Sequence, residues 1–284
     1  MSVNAYLDVG NSRIKLAAGG KPGPDLVVKS IAWPQDSQGD CLASEHAAEQ
    51  LQAELKTALA ELSKRKIKRF FLASVVESER YALLIDALTL LAPQAEQIPV
   101  AVKKRCCRVR IDYDPSALGV DRFCALVEAY ARCEHQACII INCGTAITID
   151  AIDAQGRHQG GLILPGVRAA LNGLLTAAPG LTTTLADLRE QPLRYPNSEF
   201  KHSALGLPQQ TDAGCAAGLR LLFAAGIEQA ARGLLAASSQ SPHLILSGGD
   251  AEQIAELLDP TLEVQIEPNL VVSGVLRLSR ARRS

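Results

Sequence analysis

The sequence predicts an α/β protein made of two similar domains with a cleft between them. One phrase occurs twice, as DVGNSRIK at residues 8–15 and as NCGTAITID at residues 142–150. In each copy a strand-like run reaches an acid or amide, one further residue, a glycine and a small polar residue before the next strand. Three strands followed by alternating helices and strands also occur once in each half. The chain has 284 residues, enough for two ordinary domains, which we expect at 1–115 and 116–284.

The first half is predicted to begin with three antiparallel strands. Apolar runs mark these strands, and the Gly- and Pro-rich segment GGKPGPD separates the second from the third. Ala, Leu and Glu at helical spacing indicate the first helix. The predicted elements are strands at 4–10, 12–19 and 26–33, a helix at 43–63, a strand at 69–76, a helix at 78–92 and a strand at 98–102.

The second half is predicted to repeat this order after a helix at 121–132. Its predicted elements are strands at 137–144, 146–153 and 158–166, helices at 167–175 and 212–237, a strand at 243–249, a helix at 251–258, a strand at 264–268 and a C-terminal helix. Residues 176–211 are rich in Thr, Pro and Gln and have weak periodicity, so we expect a mobile loop or a cap there.

Composition excludes several classes of protein. A net charge of -1 gives no electrostatic reason to bind nucleic acid. No apolar run is long enough to span a membrane, and the first ten residues lack the features of a secretory signal, so we expect no membrane association. The 8 cysteines include no C-x-x-C pair, which argues against a zinc site and favours buried thiols in the cytoplasm. The 5 histidines share no catalytic or metal-binding spacing, and we expect them at the surface.

The two glycine turns are predicted to bind phosphate. Glycine permits a tight turn and close backbone approach, while hydroxyl and amide side chains donate to phosphate oxygens. Two such turns facing each other would hold a nucleotide's phosphate tail from both sides, an arrangement typical of one large class of kinases and ATPases. The alternative is a plain β-turn whose polar side chains satisfy their own backbone. The candidate phosphate ligands are Asp8, Gly10, Asn11, Ser12, Lys15, Gly144 and Thr145.

Four further strings stand in order along the chain: DPSALGVDRF at 114–123, GGLILPGVRAAL at 160–171, TDAGCAAG at 211–218 and SGGDA at 247–251. Together with the two turns, they resemble the type III pantothenate kinases of the acetate and sugar kinase, heat-shock-70 and actin superfamily. This resemblance implies two ribonuclease-H-like domains, the duplication found in actin-like ATPases. It also implies a homodimer that uses ATP and Mg²⁺ to convert pantothenate to 4′-phosphopantothenate, the first step of coenzyme A biosynthesis.

The resemblance assigns roles to individual residues. Asp8 would lie near the metal-bound phosphates, and Lys15 either reaches a phosphate or points to solvent. Asp121 would be the general base that accepts the proton of the pantothenate hydroxyl, although it could instead cap a helix. Arg122 would hold the pantothenate carboxylate with its planar guanidinium, or form a salt bridge between the domains.

Further positions are assigned to the substrate and the nucleotide. Gly119 and Val120 belong to the substrate motif, and Thr211 is either a helix cap or a substrate contact. Gly248 and Gly249 would lie against the adenosine, because a missing side chain leaves room for the base. Tyr113 is the candidate for the family's substrate-contacting Tyr, although it stands one residue closer to the aspartate than is usual.

Asn142 is the main departure from the family pattern. The family usually has Asp here, associated with a monovalent cation such as K⁺ or NH₄⁺. An amide oxygen can coordinate a cation but brings no charge, so this site is expected to be weakened or absent. The same departure leaves open a second function, a non-catalytic regulatory protein similar to the Bvg accessory factors. Asp150 is either an acid on a strand face or a surface residue.

Overall fold

The computed structural model describes residues 2–34, 45–181, 193, 207–238 and 241–281. Most of the predicted loop at 176–211 therefore lies outside the described residues. The chain divides into two compact units. Unit 1 comprises Met1–Glu134 and Asn269–Ser284, and unit 2 comprises His135–Pro268.

Unit 1 is built on a five-stranded sheet of order β3-β2-β1-β4-β5. Strands β1, β2 and β3 pair in antiparallel fashion, while β4 runs parallel to both β1 and β5. The interior strand β4 carries an unbroken buried run from Phe70 to Ala73, as expected of a strand covered on both faces. The strands are β1 (Ser2–Val9), β2 (Arg13–Ala18), β3 (Lys29–Ala32), β4 (Lys66–Ser74) and β5 (Glu96–Pro99).

Among the described residues of unit 1, the α-helices are α1 (Glu45–Leu62), α2 (Ser78–Leu91), α3 (Val120–Arg132) and α7 (Leu270–Ala281). Helices α1 and α2 contribute leucines to one apolar core with the sheet. Helices α3 and α7 pack on each other; α7 also contacts β1 and β4, and α3 contacts β4. The crossing of α3 and α7 is close, because a Cβ on Gly274 would lie 2.1 Å from the Cys124 carbonyl oxygen.

Buried charges also join these two helices. The Glu128 carboxylate on α3 is fully buried and accepts hydrogen bonds from Arg132 Nε at 2.9 Å and from Arg277 Nε of α7 at 2.7 Å. Since an uncompensated buried charge is costly, this pairing fixes α7 against α3. The predicted boundary between residues 115 and 116 therefore falls inside unit 1, because α3 packs on this sheet and on the C-terminal helix.

Unit 2 repeats the same strand pattern in a sheet of order β10-β9-β8-β11-β12. The first three strands in the chain are antiparallel neighbours, and β11 runs parallel to both β8 and β12. The strands are β8 (Cys138–Cys143), β9 (Ala146–Ile152), β10 (His158–Pro165), β11 (His243–Ser247) and β12 (Val264–Ile266). The repeated order confirms the predicted pair of ribonuclease-H-like α/β domains.

In the part of unit 2 that the structure describes, the α-helices are α4 (Val167–Ala177), α5 (Thr211–Ala237) and the short α6 (Ala251–Ala255). Helix α5 buries Ala216, Leu219, Phe223 and Ile227, a spacing of three and four residues that places them on one face. They pack with the isoleucines of β8 and β9 in the core of this unit.

The structure departs from several of the predicted bounds and adds one hairpin. Strand β3 is shorter than predicted, and β5 begins two residues earlier than predicted. Helix α6 ends at Ala255, three residues before the predicted end. A two-stranded hairpin of β6 (Arg105–Cys106) and β7 (Val109–Arg110) was not predicted, because strands of two residues carry no periodicity. In the part of the chain that the structure describes, no helix is both long and apolar enough to cross a membrane.

Candidate active site

The first glycine turn joins β1 to β2 in unit 1. The Gly10 N–H donates to the Arg13 carbonyl at 3.1 Å, which closes the turn tightly. Asn11 and Ser12 are exposed at its tip. The turn therefore presents an amide and a hydroxyl side chain to solvent, as a phosphate-binding turn requires.

Asp8 lies one residue before the end of β1, directly opposite Lys15 on β2. Burial raises the pKa of Asp8 to about 7, the Lys15 ammonium opposes this rise, and the Asp121 carboxylate adds to it. Burial, followed by the charges of Asp8 and Asp121, likewise raises the pKa of the Cys124 thiol on α3. The fold thus brings together two carboxyl groups that are 113 positions apart in the sequence.

The start of α3 positions Asp121. The helix N-cap is Gly119, so Asp121 is not the cap but stands in the first helical turn, where its Oδ1 accepts from the Arg122 N–H at 2.8 Å. A Cβ on residue 119 would lie only 2.6 Å from Asp121 Oδ1. Gly119 therefore leaves the space that the Asp121 carboxylate occupies. Arg122 and Val120 are both half-buried at this helix end.

Tyr113 lies in the segment that leads to α3. Its side chain is exposed, and the next residue caps a short 3₁₀ helix (Pro115–Ala117) through Asp114 Oδ1, which accepts from the Ser116 N–H at 2.9 Å. This cap fixes the backbone immediately after Tyr113 and leaves its ring accessible.

The second glycine turn, in unit 2, joins β8 to β9. The Gly144 N–H donates to the Ala146 carbonyl at 3.1 Å, and Thr145 is exposed. The half-buried Asn142 pairs with Thr148 of β9 on one side and with Ser247 of β11 on the other. Asn142 therefore lies at the same edge of its sheet as the SGGDA segment.

Two glycines pack directly against this second turn. A Cβ on Gly166 would lie 2.2 Å from the Gly144 carbonyl oxygen, and one on Gly248 would lie 2.1 Å from the Cys143 carbonyl oxygen. Gly248 also has a φ of +101°, which favours glycine. The missing side chain of Gly248 thus makes room for the neighbouring backbone, whereas Gly249 has open space where a side chain would stand.

Asp250 follows these glycines and donates its N–H to the Cys143 carbonyl at 3.2 Å. Burial raises the pKa of its carboxyl group, and the Arg168 guanidinium on α4 opposes that rise. The second turn is therefore lined by a partly buried acid and a basic residue that the sequence did not single out.

The structure excludes one of the two alternatives at Thr211 and corrects the expected surface position of His158. Thr211 is the first residue of α5 and the N-cap is Gln210, so Thr211 is not the helix cap. His158 is buried, not at the surface, and lies 2.8 Å from Asp150. Asp150 is buried on β9, so it is the acid on a strand face and not the surface residue. The burial of His158 was not predicted because alternation along β10 does not reveal which face another layer covers.

Comparison with known proteins gives the family. A sequence model of the type III pantothenate kinase family matches residues 5–232. The chain belongs to the type III pantothenate kinase family. A type III pantothenate kinase from Dichelobacter nodosus is 30% identical over 270 residues, covering 95% of this chain and 94% of that protein. Another from Halorhodospira halophila is 38% identical over 174 residues, covering 60% of this chain and 61% of that protein.

Solved structures resemble this family member in fold. A Baf family protein from Campylobacter jejuni matches with a TM-score of 0.52 and 18% identity, covering 98% of both chains. The activator of 2-hydroxyisocaproyl-CoA dehydratase from Clostridium difficile, solved with bound ADPNP, matches with a TM-score of 0.50 and 12% identity, covering 99% of this chain and 96% of that one. At such identities the likeness shows the actin-like ATPase fold alone.

Sequence reasoning missed two side chains that contact the first turn of this family member. Trp33 Nε1 donates to the Gly10 carbonyl at 2.8 Å, and Arg80 Nη1 donates to the Asn11 carbonyl at 2.6 Å. Neither residue stands in a recognisable motif, and only the fold brings them to the turn. The sequence does hint at Trp33, since it is the one tryptophan of the chain.

Proposed function

We propose that this protein transfers the γ-phosphoryl group of ATP to the primary hydroxyl of pantothenate. The products are 4′-phosphopantothenate and ADP, which makes this the first step of coenzyme A synthesis. The proposal rests on the convergence of Asp8 and Asp121 beside the first glycine turn, together with membership of the family. A half-buried carboxyl group whose pKa is raised and which has a second carboxyl group nearby is typical of functional sites.

The Asp8 site fits a cation that accompanies ATP. Burial beside a second carboxylate disfavours the ionised form of Asp8, and a positive charge would reverse that preference. In the described ranges no group of three or more His, Cys, Asp or Glu side chains could hold a metal ion by itself. Mg²⁺ would thus arrive with ATP, with Asp8 as its protein neighbour, and would neutralise phosphate charge.

In the proposed reaction, the oxygen of the pantothenate hydroxyl bonds to the γ-phosphorus while Asp121 accepts the hydroxyl proton. The bond between that phosphorus and the bridging oxygen breaks, and ADP leaves. Arg122 binds the pantothenate carboxylate through its planar fork of donors. Tyr113, Gly119, Val120 and Thr211 complete the proposed substrate contacts.

We assign the phosphates to the two glycine turns. Gly10, Asn11, Ser12 and Lys15 would contact them in unit 1, and Gly144 and Thr145 in unit 2. Gly248 and Gly249 are assigned to the nucleotide; the open space at Gly249 supports that assignment. The neutral amide of Asn142 supports activity without added K⁺ or NH₄⁺, because it provides an oxygen ligand with no charge.

The test is a direct assay of the purified protein with ATP, Mg²⁺ and pantothenate, with and without K⁺ or NH₄⁺. Mass spectrometry should detect 4′-phosphopantothenate in all three conditions, in step with ADP release. Asp121→Asn should lower kcat by about 10²- to 10⁴-fold, the usual contribution of a general base. Exposed Asp25 provides the matched control, Asp25→Asn.

The assay also separates the kinase from the accessory-factor alternative. Absence of product under every salt condition would refute the kinase proposal, and full activity of Asp121→Asn would remove that residue from its role. The shared family supports the kinase, since its curated relatives are named as pantothenate kinases.

We also propose that the protein is a homodimer that uses the exposed apolar edge of the unit 2 sheet. Leu162 and Ile163 on the edge strand β10 are 53% and 66% exposed, and Leu222 on α5 is 55% exposed. Leu164 of β10 lies 4.0 Å from the Cβ position of Gly226 on α5, so these two elements adjoin. Exposed apolar surface of this kind marks interfaces, and a second copy is the occupant that the family implies.

Sedimentation velocity tests the dimer. Ile163→Asp should shift the protein towards monomer, whereas Leu90→Asp, at the 53% exposed Leu90 of α2, should leave the dimer intact. A wild-type monomer at micromolar concentration would contradict the proposal. We further place the protein in the cytoplasm, because the cysteines in the described ranges form no disulfide.

A further inference from the structure

Two side chains hold the backbone of the first glycine turn from one side. Trp33 Nε1 donates to the Gly10 carbonyl at 2.8 Å, and Arg80 Nη1 donates to the Asn11 carbonyl at 2.6 Å. The Arg80 guanidinium carbon also lies 5.9 Å from the centre of the Trp33 ring, within the range of a cation–π contact. Trp33 and Arg80 therefore contact each other while they donate to consecutive backbone carbonyls.

These contacts fix more than the two carbonyls. A trans peptide group is planar, and its N–H points away from its C=O. Holding the Gly10 carbonyl therefore aims the Asn11 N–H to the opposite side, and holding the Asn11 carbonyl does the same for the Ser12 N–H. Successive N–H groups aimed to one side form a concavity that binds anions.

Both partners are well placed to be rigid. Trp33 is 4% exposed and packs in the apolar core of unit 1, directly after β3. Arg80 is half-buried in the first turn of α2, and Glu77 lies 3.8 Å from its Nε. The turn is thereby anchored to the sheet edge through Trp33 and to α2 through Arg80, at positions 23 and 69 residues from their acceptors.

We propose that Arg80 and Trp33 are positioning residues that hold the Asn11 and Ser12 N–H groups in the geometry that receives the nucleotide phosphates. This inference deepens the proposed kinase function and rests on it. Arg80 acts through the backbone of the turn, and its positive charge also favours an anion there. The alternative is that the two side chains merely attach α2 to the sheet.

The decisive variant is Arg80→Met, which keeps an unbranched stem against Trp33 and removes the donor and the charge. Arg80→Lys keeps the charge without the planar fork, and Arg65→Met, at an exposed position between α1 and β4, is the matched control. Because Trp33 is the chain's one tryptophan, its fluorescence reports directly on this turn. Titration with MgADP or MgATP then measures nucleotide binding without any turnover.

We expect Arg80→Met to raise the Kd for MgADP and the KM for MgATP by about 10- to 100-fold, the usual effect of losing a hydrogen bond from a charged donor. The KM for pantothenate should change less than about twofold, since the turn is assigned to phosphate alone. The Kd for MgADP and the KM for MgATP of Arg80→Lys should lie between those of Arg80→Met and wild type. Those of Arg65→Met should match wild type.

Three outcomes would overturn the proposal. The first is an unchanged affinity of Arg80→Met for nucleotide. The second is an equal loss of affinity for both substrates together with a large fall in Tm, because that result indicates general destabilisation. The third is a wild-type protein whose Trp33 fluorescence does not respond to either nucleotide. If wild type binds MgADP through this response but makes no phosphopantothenate, the kinase assignment fails while the positioning role stands.

Discussion

The raised pKa of Asp8 predicts how the stability of unit 1 depends on pH. In the folded protein the pKa of Asp8 is about 7, compared with an ordinary value of 3.8. Asp8 therefore stays protonated to a higher pH in the folded state than in the unfolded state. Between these values the folded state keeps a proton that the unfolded state has released. The free energy of unfolding must therefore fall as pH rises through this window. Asp8→Asn removes the titrating group and should abolish this part of the decline.

The size of the effect follows from the pKa difference. At about 1.4 kcal/mol for each pKa unit, the rise from 3.8 to about 7 corresponds to about 4 kcal/mol. Near pH 4 a protonated Asp and an Asn are similar in shape and charge, so the two proteins should have similar stability. At pH 8 the Asn variant should be the more stable by up to about 4 kcal/mol.

Urea titration without Mg²⁺ or nucleotide, followed by Trp33 fluorescence, is the appropriate assay. Trp33 lies in the same unit as Asp8, so the signal reports the unfolding of the unit that contains the substitution. Asp25→Asn, at an exposed position in that unit, controls for the loss of one acidic group. Parallel pH profiles for wild type and Asp8→Asn would refute the reasoning, as would an Asn variant that loses relative stability with rising pH.

Three further predictions concern substitutions in helices, two of them where α3 packs against α7. Gly274→Ala should destabilise unit 1 strongly, by roughly 3 kcal/mol or more, because the new Cβ would meet the Cys124 carbonyl at 2.1 Å. Gly233→Ala on α5, where the Cβ position has open space, should instead stabilise the protein by about 0.5–1 kcal/mol, and thermal unfolding measures both. Glu128→Gln should cost about 3 kcal/mol in urea titration, because it leaves Arg277 near a neutral buried partner; an unchanged midpoint would contradict this.

Much of the fold could be predicted because its signals are local. Apolar runs and glycine-containing turns located the three leading strands of each unit, and helical spacing located the long helices. The phosphate turns were also visible, because a glycine between two strands with polar neighbours is a short-range pattern. The hairpin at 105–110 and the burial of His158 were not visible, since neither leaves a periodic signal.

The candidate site was only partly accessible from the sequence. Asp8 and Asp121 were chosen singly, each on its own motif, and nothing in the chain stated that the two carboxyl groups would meet. Trp33 and Arg80 were not chosen, because their role is to donate to backbone carbonyls, and a carbonyl acceptor has no residue identity to recognise. The steric roles of Gly119 and Gly248 likewise depend on which atoms come within about 3 Å of them.

The sequence alone therefore determined the order of strands and helices, the duplication and the two glycine turns, because each depends on neighbours within a few residues. The tertiary structure decided that the C-terminal helix joins unit 1 and that Asp8 lies beside Asp121. It also decided that an indole and a guanidinium bind the first turn. These features join residues 23 to 149 positions apart, where the outcome depends on packing and hydrogen bonding across the whole unit and not on local preference.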